Sequence, residues 1–245
     1  VTAVTRRRFR GPSGVTAATS VSRTGKWMSS LAVMALAAIT MSACAIDGDP
    51  HDSLVHRSVD PAAFPVEQGT DVTPVPPGQL TAIVGDITGH PVGAQIVPPD
   101  CAPQQISPAP TSTVVQTGFG RPPAPGAPPP AYTTVITRTG DSLDDVAATV
   151  GRCAEYRRSA GVEVLVTQRV LAQVPSVRRA TTVGYSRTEA TPGAGQPVTT
   201  TLLVAQRGNV RVYATRRAVG ADQVGREADS ALIRLFEAAT AAGLR

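Results

Sequence analysis

The chain has 245 residues, 42% of them hydrophobic, and its 23 basic against 18 acidic residues give a formal net charge of +5. Six of those basic residues and none of the acidic ones precede Cys44, which leaves 17 against 18, about −1, for the rest. No basic excess remains there to attract a polyanion, so a nucleic-acid partner is excluded, and the length suits one domain plus a shorter segment.

The first element is a leader. Arg6, Arg7, Arg8, Arg10, Arg23 and Lys26 precede Met28–Cys44 (MSSLAVMALAAITMSAC), in which Leu31–Ala43 carries no charge. A basic stretch, a short apolar run and small residues at its exit make a secretory signal, shorter than the roughly 20 residues of a spanning helix. Residues 1–43 are therefore read as signal peptide. Thr5–Phe9 resembles a twin-arginine signal but lies about twenty residues ahead of the apolar run. A start at Val21, read from a GTG codon, gives a more compact leader. Met41-Ser42-Ala43-Cys44 resembles the bacterial lipobox, whose cysteine takes fatty acyl chains such as palmitate and becomes the mature N-terminus. An uncleaved anchor and an ordinary cleaved signal are the alternatives. The expectation is a lipoprotein held by the lipid on Cys44 at the extracytoplasmic face of the cell membrane.

With Cys44 acylated, Cys101 and Cys153 are left as one pair in a compartment that permits disulfides. A bridge between them would stabilise the fold by about 4 kcal/mol in the chain-entropy model. Two buried free thiols are the alternative.

Residues 44–77 combine Asp47, Asp49, Asp52, His51 and His56 with several prolines and no sustained period, and read as a disordered tether. The two histidines and their aspartates match no metal-ligand spacing, which favours a solvated linker. Gln79–Gly85 suits a short strand or a helical turn, and Asp86–Pro91 suits a turn. His90 is the only histidine beyond the tether, so neither a two-histidine metal site nor a histidine-based triad is indicated. Ala94–Val97 leads into Pro98–Cys101, where the prolines fix the backbone ahead of Cys101.

Thr113–Phe119 and Ala131–Arg138 are β-rich runs on either side of the proline-rich Arg121–Pro130. That stretch favours polyproline II and could serve as a ligand for an aromatic groove; a long hairpin loop is the better reading. Asp141–Arg158 is predicted as a helix, with Leu143, Val146, Ala147, Val150, Cys153 and Ala154 on one stripe and Gly161 at its end. Arg152, Arg157 and Arg158 are read as its solvated end. Gly161–Val170, Thr181–Thr188, Val198–Gln206 and Val210–Thr215 read as strands, the last two joined at Gly208-Asn209. In the last, Val210, Val212 and Ala214 should face a core, and Arg211, Tyr213 and Thr215 a wetter side. A helix over Ala221–Ala242 should close the chain, with Val224, Ala228, Ala231, Leu235 and Ala238 inward, Leu232 broadening the stripe and Gly243 stopping it. The fold class is α+β over residues 78–245: a largely antiparallel sheet with both predicted helices on one face and one disulfide.

Val97–Cys101 (VPPDC), Arg152–Tyr156 (RCAEY) and Gln206–Val212 (QRGNVRV), in this order and followed by a terminal helix, resemble the small actinobacterial lipoproteins related to the PknH-type extracellular sensor domain. The likeness runs over roughly residues 78–243. It implies an envelope-facing domain with a cleft between sheet and helices that senses or binds an unidentified ligand. Kinase sensor domains of that type carry two disulfides, where this chain has cysteines for one, and no kinase segment occurs in the sequence.

The sequence has no Gly-X-Ser-X-Gly elbow, no His-Glu-X-X-His and no phosphate-cradling glycine loop. Asp144 and Asp145, adjacent on a helix, point about 100° apart and make a poor acid–base pair. An enzyme is not expected, nor a cofactor, a metal site or a catalytic residue. The expected function is a membrane-anchored binding or sensor-like module, with Tyr185, Arg187, Arg211 and Tyr213 as candidate ligand-binding residues. Its partners are the membrane, through the lipid, and a small-molecule, lipid or protein ligand. The alternative is a structural or protein-interaction lipoprotein docking on a membrane or cell-wall complex.

Overall fold

A computed structural model describes residues 53–67, 69–193, 195–220 and 228–245. The leader, Cys44 and His51 lie outside them, and so does Val224. All the described residues fall in one compact unit, Asp47–Arg245.

Nine strands form one antiparallel sheet: β1 (Thr73–Pro74), β2 (Gln95–Val97), β3 (Thr113–Phe119), β4 (Ala131–Arg138), β5 (Glu155–Ser159), β6 (Glu163–Val170), β7 (Thr181–Ala190), β8 (Val198–Arg207) and β9 (Val210–Val219). Their order is β1-β3-β4-β9-β8-β7-β6-β5-β2. β3 and β4 form a hairpin whose loop is the proline-rich stretch, and β5 to β9 form a meander that returns beside β4. Both edge strands are very short and one holds Pro74, which blunts them as templates for pairing. The class is α+β and largely sheet, as the sequence implies.

Three helices cover this sheet: α1 (Leu80–Thr88), α2 (Leu143–Arg152) and α3 (Ser230–Gly243). From β4 to β5 the chain crosses five strand spacings, about 24 Å, and the ten residues of α2 supply about 15 Å of that. α2 is thus the bridge over one face. Leu80, Val84 and Ile87 of α1 share that face with Leu143 and Val150 of α2, above Val115, Val135, Tyr185, Leu202, Val204 and Tyr213. Two helices do pack on one face, but they are α1 and α2. α3, expected beside α2, lies on the opposite face, where Leu232, Leu235, Phe236, Ala239 and Ala242 meet Ile136, Leu203, Ala205, Val212 and Ala214. It can lie close because a Cβ on Gly243 would come within 2.6 Å of Val212.

Four expectations need correction. The stretch read as a tether docks on the domain over its described part. Leu54, Val59 and Phe64 are buried in the α3-side core, Val59 exchanges two hydrogen bonds with the Gln116 side chain, and Arg57 donates to the Gly243 carbonyl at 2.7 Å. The predicted helix Asp141–Arg158 ends at Arg152, because Glu155–Ser159 gains a ladder on both sides, with β6 and β2. Gly161 consequently turns one strand into the next. α1 runs on to Thr88, through residues read as a turn, and closes on Gly89 at φ 89°, a left-handed conformation that glycine adopts freely. The closing helix starts at Ser230, capped by Asp229, whose carboxylate accepts the Leu232 N–H at 2.7 Å. Residues 221–227 lie outside the described residues.

The docked N-terminal stretch carries a prediction. Phe64→Ala should destabilise the domain by about 3–5 kcal/mol in urea unfolding, the cost of emptying a buried phenylalanine site. A tether would give a change near zero.

Candidate functional site

Beneath α1 and α2 the sheet presents charged and polar side chains to the protein interior. Residues two apart on a strand share a face, so Tyr185, Arg187 and Glu189 of β7 point the same way as Arg211 and Tyr213 of β9. That face is dry: Arg187 is 1% exposed, Arg211 0%, Tyr185 4% and Tyr213 2%. The wetter side expected of β9 is therefore a second buried face, because α1, α2 and the loop after Cys101 roof it over.

Two of the buried arginines share one carboxylate. Arg158 donates to Glu189 through both Nη atoms at 3.1 and 2.7 Å, and Arg187 Nε donates to the same carboxylate at 2.9 Å. Arg187 then reaches the last turn of α1, donating to the Ile87 and Asp86 carbonyls at 3.0 and 2.6 Å, and Arg158 donates to the Gly89 carbonyl at 3.4 Å. These carbonyls lie at the negative end of the helix dipole, where that of Asp86 also accepts the Gly89 N–H, so the cations help to cap it. Arg217 of β9, two strands from Arg187, pairs with the Asp86 carboxylate. Burial alone would push the Glu189 carboxyl up, but Arg187 and Arg158 beside it hold it below its ordinary value. Arg158, read as solvated, is thus an interior cation.

Arg211 is placed differently. Nε donates to Gln206 at 2.8 Å, Nη1 to Gln104 at 3.1 Å and to the Tyr213 hydroxyl at 3.2 Å, and Nη2 to the Asp141 carbonyl at 2.8 Å. Every one of these acceptors is neutral, and no carboxylate among the described residues pairs with this guanidinium.

A cleft opens beside it between α2 and residues 103–104. Thr88, Pro103, Gln104, Val146, Thr149, Val150, Gln168, Tyr185, Arg211 and Tyr213 line it, one cation and no acid among them. Its water-sized room is about 20 Å³, space for about one water molecule. The disulfide joins its walls. Cys101 and Cys153 are bonded with their Cα atoms 5.5 Å apart, so Pro103 and Gln104 follow one half-cystine and Thr149 and Val150 precede the other. His90 Nδ1 donates to the Pro103 carbonyl at 2.9 Å, which ties the same loop to the end of α1. A second recess of about 160 Å³ lies between α1 and the sheet over Thr117, Thr133, Thr200 and Thr215. Among the described residues, no three His, Cys, Asp or Glu side chains converge as metal ligands would.

Three of the four residues singled out from the sequence, Tyr185, Arg211 and Tyr213, come together in the cleft; Arg187 instead braces α1. Gln104, Gln168 and Glu189 were not foreseen. Glu189 left a trace in its i, i+2 spacing from Arg187, whereas Gln104 reaches the site only through the fold of its loop.

No family model matches the chain, and no curated protein does. The chain is similar to the crystal structure of an uncharacterised protein from Mycobacterium smegmatis, an Rv0999 ortholog, at 18% identity over 72% of this chain and 87% of that one, with a TM-score of 0.42. A likeness at that level bears on neither site nor function.

Two predictions follow from this geometry. Glu189→Gln should cost about 3–5 kcal/mol, since it leaves two interior guanidinium groups without their carboxylate. The depressed Glu189 carboxyl stabilises the fold fully above its ordinary value of 4.5 and loses that contribution as pH falls through its lower folded value. The wild-type melting temperature should therefore fall below about pH 4.5, and more steeply than that of the variant. Reduction of the Cys101–Cys153 bridge, which spans 52 residues, should cost about 4 kcal/mol, read as a shift of the urea midpoint.

Proposed function

We propose that this protein is an extracytoplasmic lipoprotein, anchored through Cys44, that acts as a non-enzymatic binding or sensor-like module for an envelope ligand. One observation carries the reading: polar side chains open onto the cleft under α2 with hydrogen-bonding capacity that no protein group uses. The Tyr185 hydroxyl and the Gln168 side-chain amide make no hydrogen bond among the described residues, and both line the cleft, where solvent or a ligand can reach them. A ligand with matching acceptors can replace the water on these groups. The lipobox at Met41–Cys44 supports the anchor, and the order of its cysteine and hairpin motifs supports kinship with the PknH-type sensor lipoproteins. No helix among the described residues is long and apolar enough to cross a membrane.

A second reading, a structural lipoprotein docking on a membrane or cell-wall complex, is favoured by the bare part of the sheet. Val97, Glu155, Arg157, Glu163, Thr167 and Arg169 lie exposed on one face of β2, β5 and β6, away from α1 and α2. In-cell crosslinking from Arg157 or Thr167 replaced by a photoreactive residue would capture a protein partner there.

The binding reading is tested by purifying the protein from native membranes. Intact mass should show acyl chains on Cys44, and mass spectrometry of the denatured sample should release a small molecule. An unacylated polypeptide with nothing bound, whose melting temperature no envelope extract raises, would overturn it.

A further inference from the structure

The chemistry of the cleft also names the kind of ligand. Each polar group that faces it is a hydrogen-bond donor or can act as one. Tyr213 accepts from Arg211 through its oxygen, so its own proton is free for a further acceptor. Tyr185 and Gln168 hold unused donors, and the four hydrogen bonds of Arg211 leave one of its five N–H groups over. Burial raises the pKa of both tyrosines, which keeps them in the protonated, donating form. No acid lines the cleft, and the charge on Arg211 has no counter-ion among the described residues. A guanidinium in a dry interior with neutral partners alone is electrostatically incomplete, and an anion is what completes it.

Resting on the binding reading above, we propose that the cleft takes the carboxylate of a small aliphatic acid, with its oxygens on Arg211, Tyr213, Tyr185 and Gln168. Charge points to this group. A single cation with no second positive side chain balances a monoanion, whereas a phosphate would leave a second charge unmatched. Val146, Val150 and Pro103 supply an apolar rim on which a short alkyl chain can lie.

The test is calorimetric titration of the purified domain with hexanoate, with hexanol and inorganic phosphate as the other arms. Hexanoate should bind, and hexanol and phosphate should not. Tyr185→Phe removes only an unpartnered hydroxyl, so the variant should fold at least as stably as wild type, and its affinity for hexanoate should drop about tenfold to a hundredfold. Arg211→Gln should abolish binding, and circular dichroism identifies any loss that is due to unfolding. Hexanoate binding unchanged in Tyr185→Phe, or hexanol binding as well as hexanoate, overturns the carboxylate assignment. A molecule released from the native protein that lacks a carboxylate overturns it too, while leaving the binding reading intact. Phosphate binding in place of hexanoate would reassign the cleft to a phosphoryl group and likewise overturns it.

Discussion

The architecture of the functional face depends on how it accommodates buried arginines. Removing a guanidinium from water costs several kcal/mol even after relaxation, so each must be matched inside the fold. Arg158 and Arg187 are matched by Glu189 and by the carbonyl end of α1. One carboxylate cannot neutralise two cations, and the remainder is taken up by the helix dipole. α1 is therefore held electrostatically as well as by Leu80, Val84 and Ile87, and its last turn has little freedom to move. Gly89 follows from the same contact, since any side chain there would collide with the Arg187 guanidinium at 2.6 Å.

Arg211, on the same face, is accommodated by other means. Its four hydrogen bonds tie the start of the α2 segment at Asp141, the loop at Gln104 and the hairpin at Gln206 into one corner. That crosslinking is a sufficient structural reason for an arginine at this position, and it accounts for four of its five N–H donors. It does not account for charge. A glutamine or a neutral amide network could make comparable bridges without burying a cation, and a carboxylate partner of the kind that serves Arg187 is missing here. The contrast between two arginines on one face, one neutralised and one left positive, marks the corner at Arg211 as the chemically distinctive part of the fold.

The sequence was readable where structure is decided locally. β3 and β4 occupy the β-rich runs on either side of the proline-rich loop, and Gly208-Asn209 marks the β8–β9 turn. It was unreadable where a distant partner decides. Leu54, Val59 and Phe64 recur every five residues, a spacing that suits neither helix nor strand, yet each fills space in the α3-side core. After Cys153 the stripe of α2 could continue as helix, but Tyr156 and Arg158 also alternate as a strand requires, and the waiting edges of β6 and β2 resolve the ambiguity. The arginines looked solvated because an isolated strand gives no sign that a helix will cover its second face. The candidate residues were correctly grouped on one side of the sheet, and wrongly placed in water.

The two walls of the cleft belong to chain segments that meet only through tertiary structure. Residues 102–106 reach Arg211 through Gln104, a charge-assisted bond worth about 1.5–3 kcal/mol, and the end of α1 through His90, a bond worth about 1 kcal/mol. Against the entropy of ordering five residues, at about 1–2 kcal/mol apiece, those bonds and the burial of Ile106 leave a small margin. The Cys101–Cys153 bond removes that entropy from the unfolded side and holds the loop against the end of α2 whether or not the cleft is filled. A pre-formed cleft is thus a property of the oxidised protein. In a reducing compartment the same chain would have to order this wall without that help, so the disulfide makes the shape of this corner depend on where the domain folds.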